Sequence, residues 1–185
     1  MTAKKIQSIA LQRFAKQGFT ATSMNEIAED VGIKKPSIYA HFKNKDDLYL
    51  SLIPIMINHE LTYAKNTLTG GENFHQQLCA YFCSIGERFD ASYDVQFWMN
   101  ALINPPQHIY DQVIDPMHIF MDDLENIFKN VFPENIENKK FDSTTLARLC
   151  MCFVDALQSE LIYGGKDKYK KRLDAILKAL EVLIG

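Results

Sequence analysis

Between positions 34 and 41 the chain places Lys34, Lys35, Ser37, Tyr39 and His41, with no acidic residue among them. Two cations, two hydroxyls and an imidazole are suited to phosphate oxygens and to base edges. Lys43 and Lys45 prolong the positive strip. Pro36 suits the first turn of a short helix, where its missing N–H goes unused, and a helix N-terminus itself draws phosphate. Ile38 and Phe42 stand four apart, so one helix face takes both inward and leaves the polar set outside. By composition alone, the same set equally describes the solvated face of a small helix.

To present such a set the segment needs a scaffold, and the surrounding pattern supplies helices. Apolar residues recur three and four apart along most of the chain, and alternating runs are absent. This predicts an all-α fold of about nine or ten helices. The first covers roughly 3–17, with Ile6, Ile9, Ala10 and Phe14 inside and Gly18 as a left-handed cap. Ser23 and Glu26 form a capping-box pattern that opens a second helix ending near Val31-Gly32. A third starts near Lys35-Pro36 and runs to Phe42. Two short helices around a glycine-containing turn make the unit of a helix-turn-helix.

Asn44 caps a longer fourth helix, with Asp46 and Asp47 at its positive end. Leu48, Leu52, Ile55, Met56, His59 and Tyr63 form its inner stripe, Pro54 should kink it, and Thr69-Gly70-Gly71 ends it. Further helices are expected at about 73–89, 92–103, 107–132, 142–163 and 167–184. Asn104-Pro105-Pro106 is a break, Asp115-Pro116 a bend or split, and Pro133 to Lys140 a loop.

The 185 residues, 47% hydrophobic and 23% charged, suffice for one or two cores without disulfides or metals. No apolar run approaches the roughly 18 residues of a membrane span. The N-terminus mixes Gln, Ser and Arg into its apolar positions, unlike a signal-peptide core, so a cytoplasmic chain with no membrane partner is expected. Cys79, Cys83, Cys150 and Cys152 form no C-x-x-C pair, and no spacing places two histidines beside them; reduced, buried thiols are expected, with no metal or cofactor. The net charge of −3 divides unevenly. Residues 1–50 hold eight Lys/Arg against five Asp/Glu, and the remainder 12 against 18. A basic front on an acidic body suits phosphate binding at one end. Gly-rich phosphate loops, nucleophile elbows and paired-histidine helices are absent, so no enzyme is expected.

Read in order, Ile6, Ile9-Ala10, Phe14, Gly18-Phe19, Ala21-Thr22-Ser23, Ile27-Ala28, Val31-Gly32-Ile33, Lys35-Pro36-Ser37-Ile38-Tyr39, His41-Phe42, Lys45 and Leu48 closely resemble the DNA-binding domain of the tetracycline-repressor (TetR) family. The resemblance runs without a gap over residues 6–52. It implies an N-terminal helix-turn-helix domain at 1–48, followed by a helical effector-binding and dimerisation domain at 49–185. It also implies a homodimer that sets two recognition helices in successive major grooves of a near-palindromic operator, as a ligand-released repressor. On that pattern Thr22 and Ser23 match phosphate contacts, Lys35, Ser37, Tyr39 and His41 recognition-helix contacts, and Lys45 a phosphate contact. Lys34 stands where the family often has a capping serine, and Pro36 where it often has glycine; both alter the DNA-facing surface. Phosphate roles are favoured for Tyr39, His41 and Lys45, while Lys35 suits a guanine edge or a phosphate.

The remainder is read on the same footing. Phe82, Phe89, Tyr93, Phe97, Trp98, Tyr110, Met117, Phe120 and Met121 suit a core, and the resemblance makes them a candidate effector pocket. Glu87, Asp90 and Asp94 lie among them, which suits a lipophilic or aromatic cationic effector; surface exposure explains the acids equally well. Leu149, Phe153, Leu157, Leu173, Ile176, Leu177 and Leu180 form two stripes expected at a dimer interface, with Ala147 and Ala156 permitting close approach. A helical architectural DNA-binding protein that senses nothing is the alternative.

Overall fold

Ten α-helices make up most of the described residues of the computed structural model, which are 2–69, 73–132 and 141–184. The expected Gly70-Gly71 stop and the Pro133–Lys140 loop lie outside them. The helices are α1 Thr2–Ala21, α2 Met24–Val31, α3 Lys35–Tyr39, α4 Lys45–Leu50, α5 Ile53–Leu68, α6 Phe74–Ala91, α7 Tyr93–Ile103, α8 Tyr110–Val131, α9 Ser143–Ser159 and α10 Lys166–Ile184. A 3₁₀ turn, Gln107–Ile109, precedes α8, and a π-helical turn, Glu160–Gly164, follows α9.

Several boundaries differ from the sequence expectation, each for a local reason. Gly18 is no left-handed cap: it has φ 77° and ψ 173°, an extended positive-φ conformation open essentially to glycine alone. It breaks α1, and the helix resumes through Ala21. The long fourth helix is two helices, α4 and α5. Pro54 cannot donate to Leu50, and Leu52 N–H already bonds Tyr49 O at 3.0 Å, so the break precedes the proline. Pro54 then sits in the first turn of α5, where it is tolerated. His59, expected inside, is exposed. Helix α3 stops at Tyr39, and the N–H groups of His41 and Phe42 both close on Ile38 O at 2.9 Å. Helix α8 runs through Pro116 without splitting. Among the cysteines, Cys150 is buried, its thiol pushed up to about 12 by desolvation, but Cys152 is exposed.

The chain packs as two compact units, residues 1–59 with 91–119, and residues 60–90 with 120–185. In the first, α1 packs against α2, α4 and α7. Ile6, Ala10, Phe14, Ile27, Ile38, Leu48, Phe97 and Trp98 are each at most 3% exposed. Burying each larger side chain contributes about 1.5–3 kcal/mol. Phe14, Tyr49 and Phe97 pack edge-on and tilted, with centroids 5.1–6.2 Å apart.

The second unit is built on α6, α9, α10 and the end of α8. Phe82 stacks on Phe128 at 6.1 Å, and Tyr81 and Phe153 meet that pair edge-on. The Gly86 N–H donates to the Tyr169 hydroxyl at 2.8 Å, an approach with no room for a Cβ. The ion pair of buried Glu160 with Arg172 joins the π-helical turn to α10. No described helix is long and apolar enough to cross a membrane.

Candidate nucleic-acid interface

The interface is built on α1. Its Arg13 reaches across to α2, with Nε donating to Asp30 Oδ2 at 2.6 Å, Nη2 to Asp30 Oδ1 at 3.0 Å and Nη1 to Glu26 Oε1 at 2.9 Å. This planar fork fits two carboxylates at once, as a lysine could not. Glu26 also completes the expected capping box: Ser23 N–H donates to Glu26 Oε2 at 2.8 Å, and Glu26 N–H to Ser23 Oγ at 3.2 Å. The Ser23 bonds hold the Glu26 carboxyl below the usual carboxylate value, and the Arg13 bond does the same for Asp30. Gly32 ends α2 where the sequence places its end, in the left-handed conformation, φ 79° and ψ 33°.

Helix α3 hangs from one anchor. Ile38 is fully buried, while Lys34, Lys35, Pro36, Ser37, Tyr39 and His41 are all exposed. Lys34 occupies the N-cap without a side-chain cap bond, and proline takes the first turn.

Behind it lies a contact the sequence did not disclose. Lys45 opens α4 and turns back, its Nζ donating to Phe19 O and Thr22 O at 2.8 Å each and lying 4.2 Å from the Phe19 ring centroid. Burial pushes this ammonium below the usual lysine value, against the pull of Asp46 and Glu26. One N–H of three remains for another acceptor. Residues 26 and 23 apart along the chain carried no pattern by which to pair them.

The structure brings much of the expected site together. Thr22, Ser23, Lys35, Tyr39 and Lys45 line one open concave surface of about 430 Å³, joined by Thr20, Met24, Asn25 and Asn44. No carboxylate lines it. Asn25 and Asn44 were not singled out from sequence; Asn44 was read only as a cap, which it is, accepting from Asp47 N–H at 2.7 Å. Thr22 stands at the rear of the surface. It is 1% exposed, and its hydroxyl donates to Gly18 O at 2.8 Å.

The nine candidate effector residues are divided between the two units. Phe97, Trp98 and Met117 are buried in the first unit, where Tyr93 and Tyr110 are exposed. Phe82, Phe89, Phe120 and Met121 belong to the second unit. Among the acids read with them, Asp94 lies 3.8 Å from His59 Nδ1, and Asp90 accepts from Lys166 Nζ at 2.6 Å. Of the seven expected dimer residues, Leu157, Ile176 and Leu180 fill the second unit's own core. Leu149, Phe153, Leu173 and Leu177 are half-buried.

Residues 6–52 match the family of bacterial regulatory proteins described as tetR. The regulator YerO of Bacillus subtilis is 40% identical over 63 residues, 34% of this chain and 22% of its own length. The negative regulator IcaR of the icaADBC biofilm operon, from Staphylococcus epidermidis, is 25% identical over 133 residues, 64% of this chain and 72% of its own. The chain thus spans about a fifth of YerO and under three quarters of IcaR. Among solved structures, a TetR-family regulator from Agrobacterium tumefaciens superposes with TM-score 0.77 at 16% identity over 96% of both chains. Reduced NemR of E. coli superposes with TM-score 0.74 at 14% identity, over 100% of this chain and 98% of its own. At those identities the likeness is one of fold. Residues 6–52 thus match the DNA-binding segment of the tetR family of bacterial regulatory proteins, the relatives that share it are named as transcriptional regulators, and the whole chain shares the fold of TetR-family structures.

Proposed function

We propose that the chain is a repressor that binds a near-palindromic operator as a homodimer and is released by a small molecule. The observation that carries this reading is the surface formed by Ser23, Lys35, Tyr39 and Lys45, drawn from three elements, lined by no carboxylate and capped by the exposed edge of α3. Phosphate contacts from Ser23, Tyr39, His41 and Lys45 would set the register, and Lys34, Lys35, Pro36 and Ser37 would meet the groove. Thr22 serves from behind, by holding the turn that presents Ser23. On this reading residues 1–48 read DNA, while 49–185 bind the effector and the partner copy through Leu149, Phe153, Leu173 and Leu177. The IcaR relative is named a negative regulator, and a similar structure, SmeT, is a complex with triclosan; both favour a ligand-released repressor.

The test is a mobility-shift titration with the DNA flanking the chain's own gene, against scrambled DNA of equal length. A specific shift, weakening steeply with salt, is the expected result. Equal affinity for both DNAs would favour an architectural role, and no shift at low salt would end the reading.

A further inference from the structure

We propose that Asn25 reads an adenine base through its side-chain amide and so fixes one base pair of each operator half-site; this rests on the proposed operator binding. Asn25 stands in the first turn of α2 and is exposed. It lines the same concave surface as Lys35 and Tyr39, which lie four apart on α3 and so share a face of that helix. A base edge laid against that face of α3 has Asn25 beside it.

The polar groups of the surface divide by type. Among the described residues, the side chains of Thr20, Asn25, Lys35 and Tyr39 have no hydrogen-bond partner, whereas those of Thr22, Ser23, Asn44 and Lys45 are bonded within the chain. Lys35 can only donate, and each hydroxyl presents a single oxygen. In that unbonded set, Asn25 is the side chain that holds a donor and an acceptor side by side in one plane. A phosphate would take its N–H and leave its carbonyl oxygen facing an anion. In the major groove adenine presents the complement, N7 as acceptor and N6–H as donor, while guanine presents two acceptors, N7 and O6. The amide therefore selects adenine.

The backbone that carries this amide is held on both sides. Ser23 and Glu26 bond each other reciprocally across residue 25, and Arg13 of α1 clamps Glu26 at 2.9 Å. Met24, next to it, is buried. Only the two side-chain torsions of Asn25 remain to be ordered on binding, which limits what a bidentate contact costs. A contact from α2 also lies outside α3, so the half-site extends past the bases that Lys35 and its neighbours reach.

The experiment enriches duplexes from a pool with about 20 randomised base pairs, enough for two half-sites, using the full chain and its Asn25→Ala variant. The wild-type chain is expected to enrich an inverted repeat with a fixed adenine in each half. Asn25→Ala should lose the preference at that position alone and bind the enriched duplex about tenfold more weakly. Replacing the adenine by 7-deazaadenine removes N7; it should weaken the wild-type chain about fivefold and leave the variant unchanged. This second arm uses the wild-type fold, and equal melting temperatures check the variant's. A variant weakened equally on every duplex would mark a phosphate contact and overturn the proposal. An unchanged preference, or a 7-deazaadenine penalty that the variant retains, would do the same. Any of these with a sequence enriched sinks this proposal alone; no sequence enriched by the wild-type chain ends the operator reading as well.

Discussion

Lys45 holds its ammonium 4.2 Å from the centroid of the Phe19 ring and 2.8 Å from the Phe19 carbonyl oxygen, pinning the start of α4 to the turn between α1 and α2. The same nitrogen bonds Thr22 O, so the lysine ties together two carbonyls at the α1–α2 junction. A residue expected to meet phosphate is thereby also part of the frame that holds Ser23 in place.

Replacing it separates the two roles. Lys45→Met should keep much of the stem packing and lose both charge-assisted bonds, lowering stability by about 1–3 kcal/mol. Urea unfolding of the DNA-free chain checks this; an unchanged midpoint would show that Lys45 acts on phosphate alone.

On α3 the two faces should respond oppositely. Ile38→Ala empties a fully buried site and should cost about 2–5 kcal/mol. Lys35→Ala, at an exposed position, should leave stability within about 0.5 kcal/mol while weakening operator binding by about 1–3 kcal/mol. Thermal melts and mobility shifts on both variants decide it.

The Arg13 fork makes a pH prediction. Asp30 and Glu26 have depressed pKa values in the fold, so they bind fewer protons there than in the unfolded chain at acid pH. Their stabilisation is complete above the ordinary carboxylate value, about pH 4, and is lost as pH falls through the depressed folded values. Arg13→Leu should flatten the slope of stability against pH below about 4.5. An identical slope in the variant would place the acid sensitivity elsewhere.

Gly18 and Gly32 both have positive φ, and a Cβ at either would meet no atom within 4 Å. Alanine there tests the backbone alone. At Gly32, in the left-handed helical well, it should cost about 1–2 kcal/mol. At Gly18, with ψ 173°, the cost should be larger, up to about 3 kcal/mol. Equal losses in denaturant titrations would contradict the difference in strain.

In the second unit, Gly86→Ala brings a methyl to 2.8 Å from the Tyr169 ring. Overpacking of this kind should cost about 1–3 kcal/mol despite alanine's better helix propensity. Adding Tyr169→Leu should recover part of the loss in a double-mutant cycle, and simple additivity of the two losses would refute the contact.

The local chemistry of the chain was sufficient for much of this. Ser23 with Glu26, Gly32, Asn44 and the Ile38 anchor are read from neighbours a few residues away, because caps, turns and amphipathic faces are made by atoms within one or two helical turns. The exposed polar edge of α3 follows from that same spacing. Tertiary structure alone decided the rest. Pro54 opens a new helix instead of kinking an old one, because a three-residue closure of Leu52 on Tyr49 competes successfully with a continuous helix. Lys45 meets Phe19, Thr22 turns inward, and Leu157, Ile176 and Leu180 are consumed by their own unit. Such pairings depend on where distant segments meet, and the period of one helix does not encode which neighbour will cover its face.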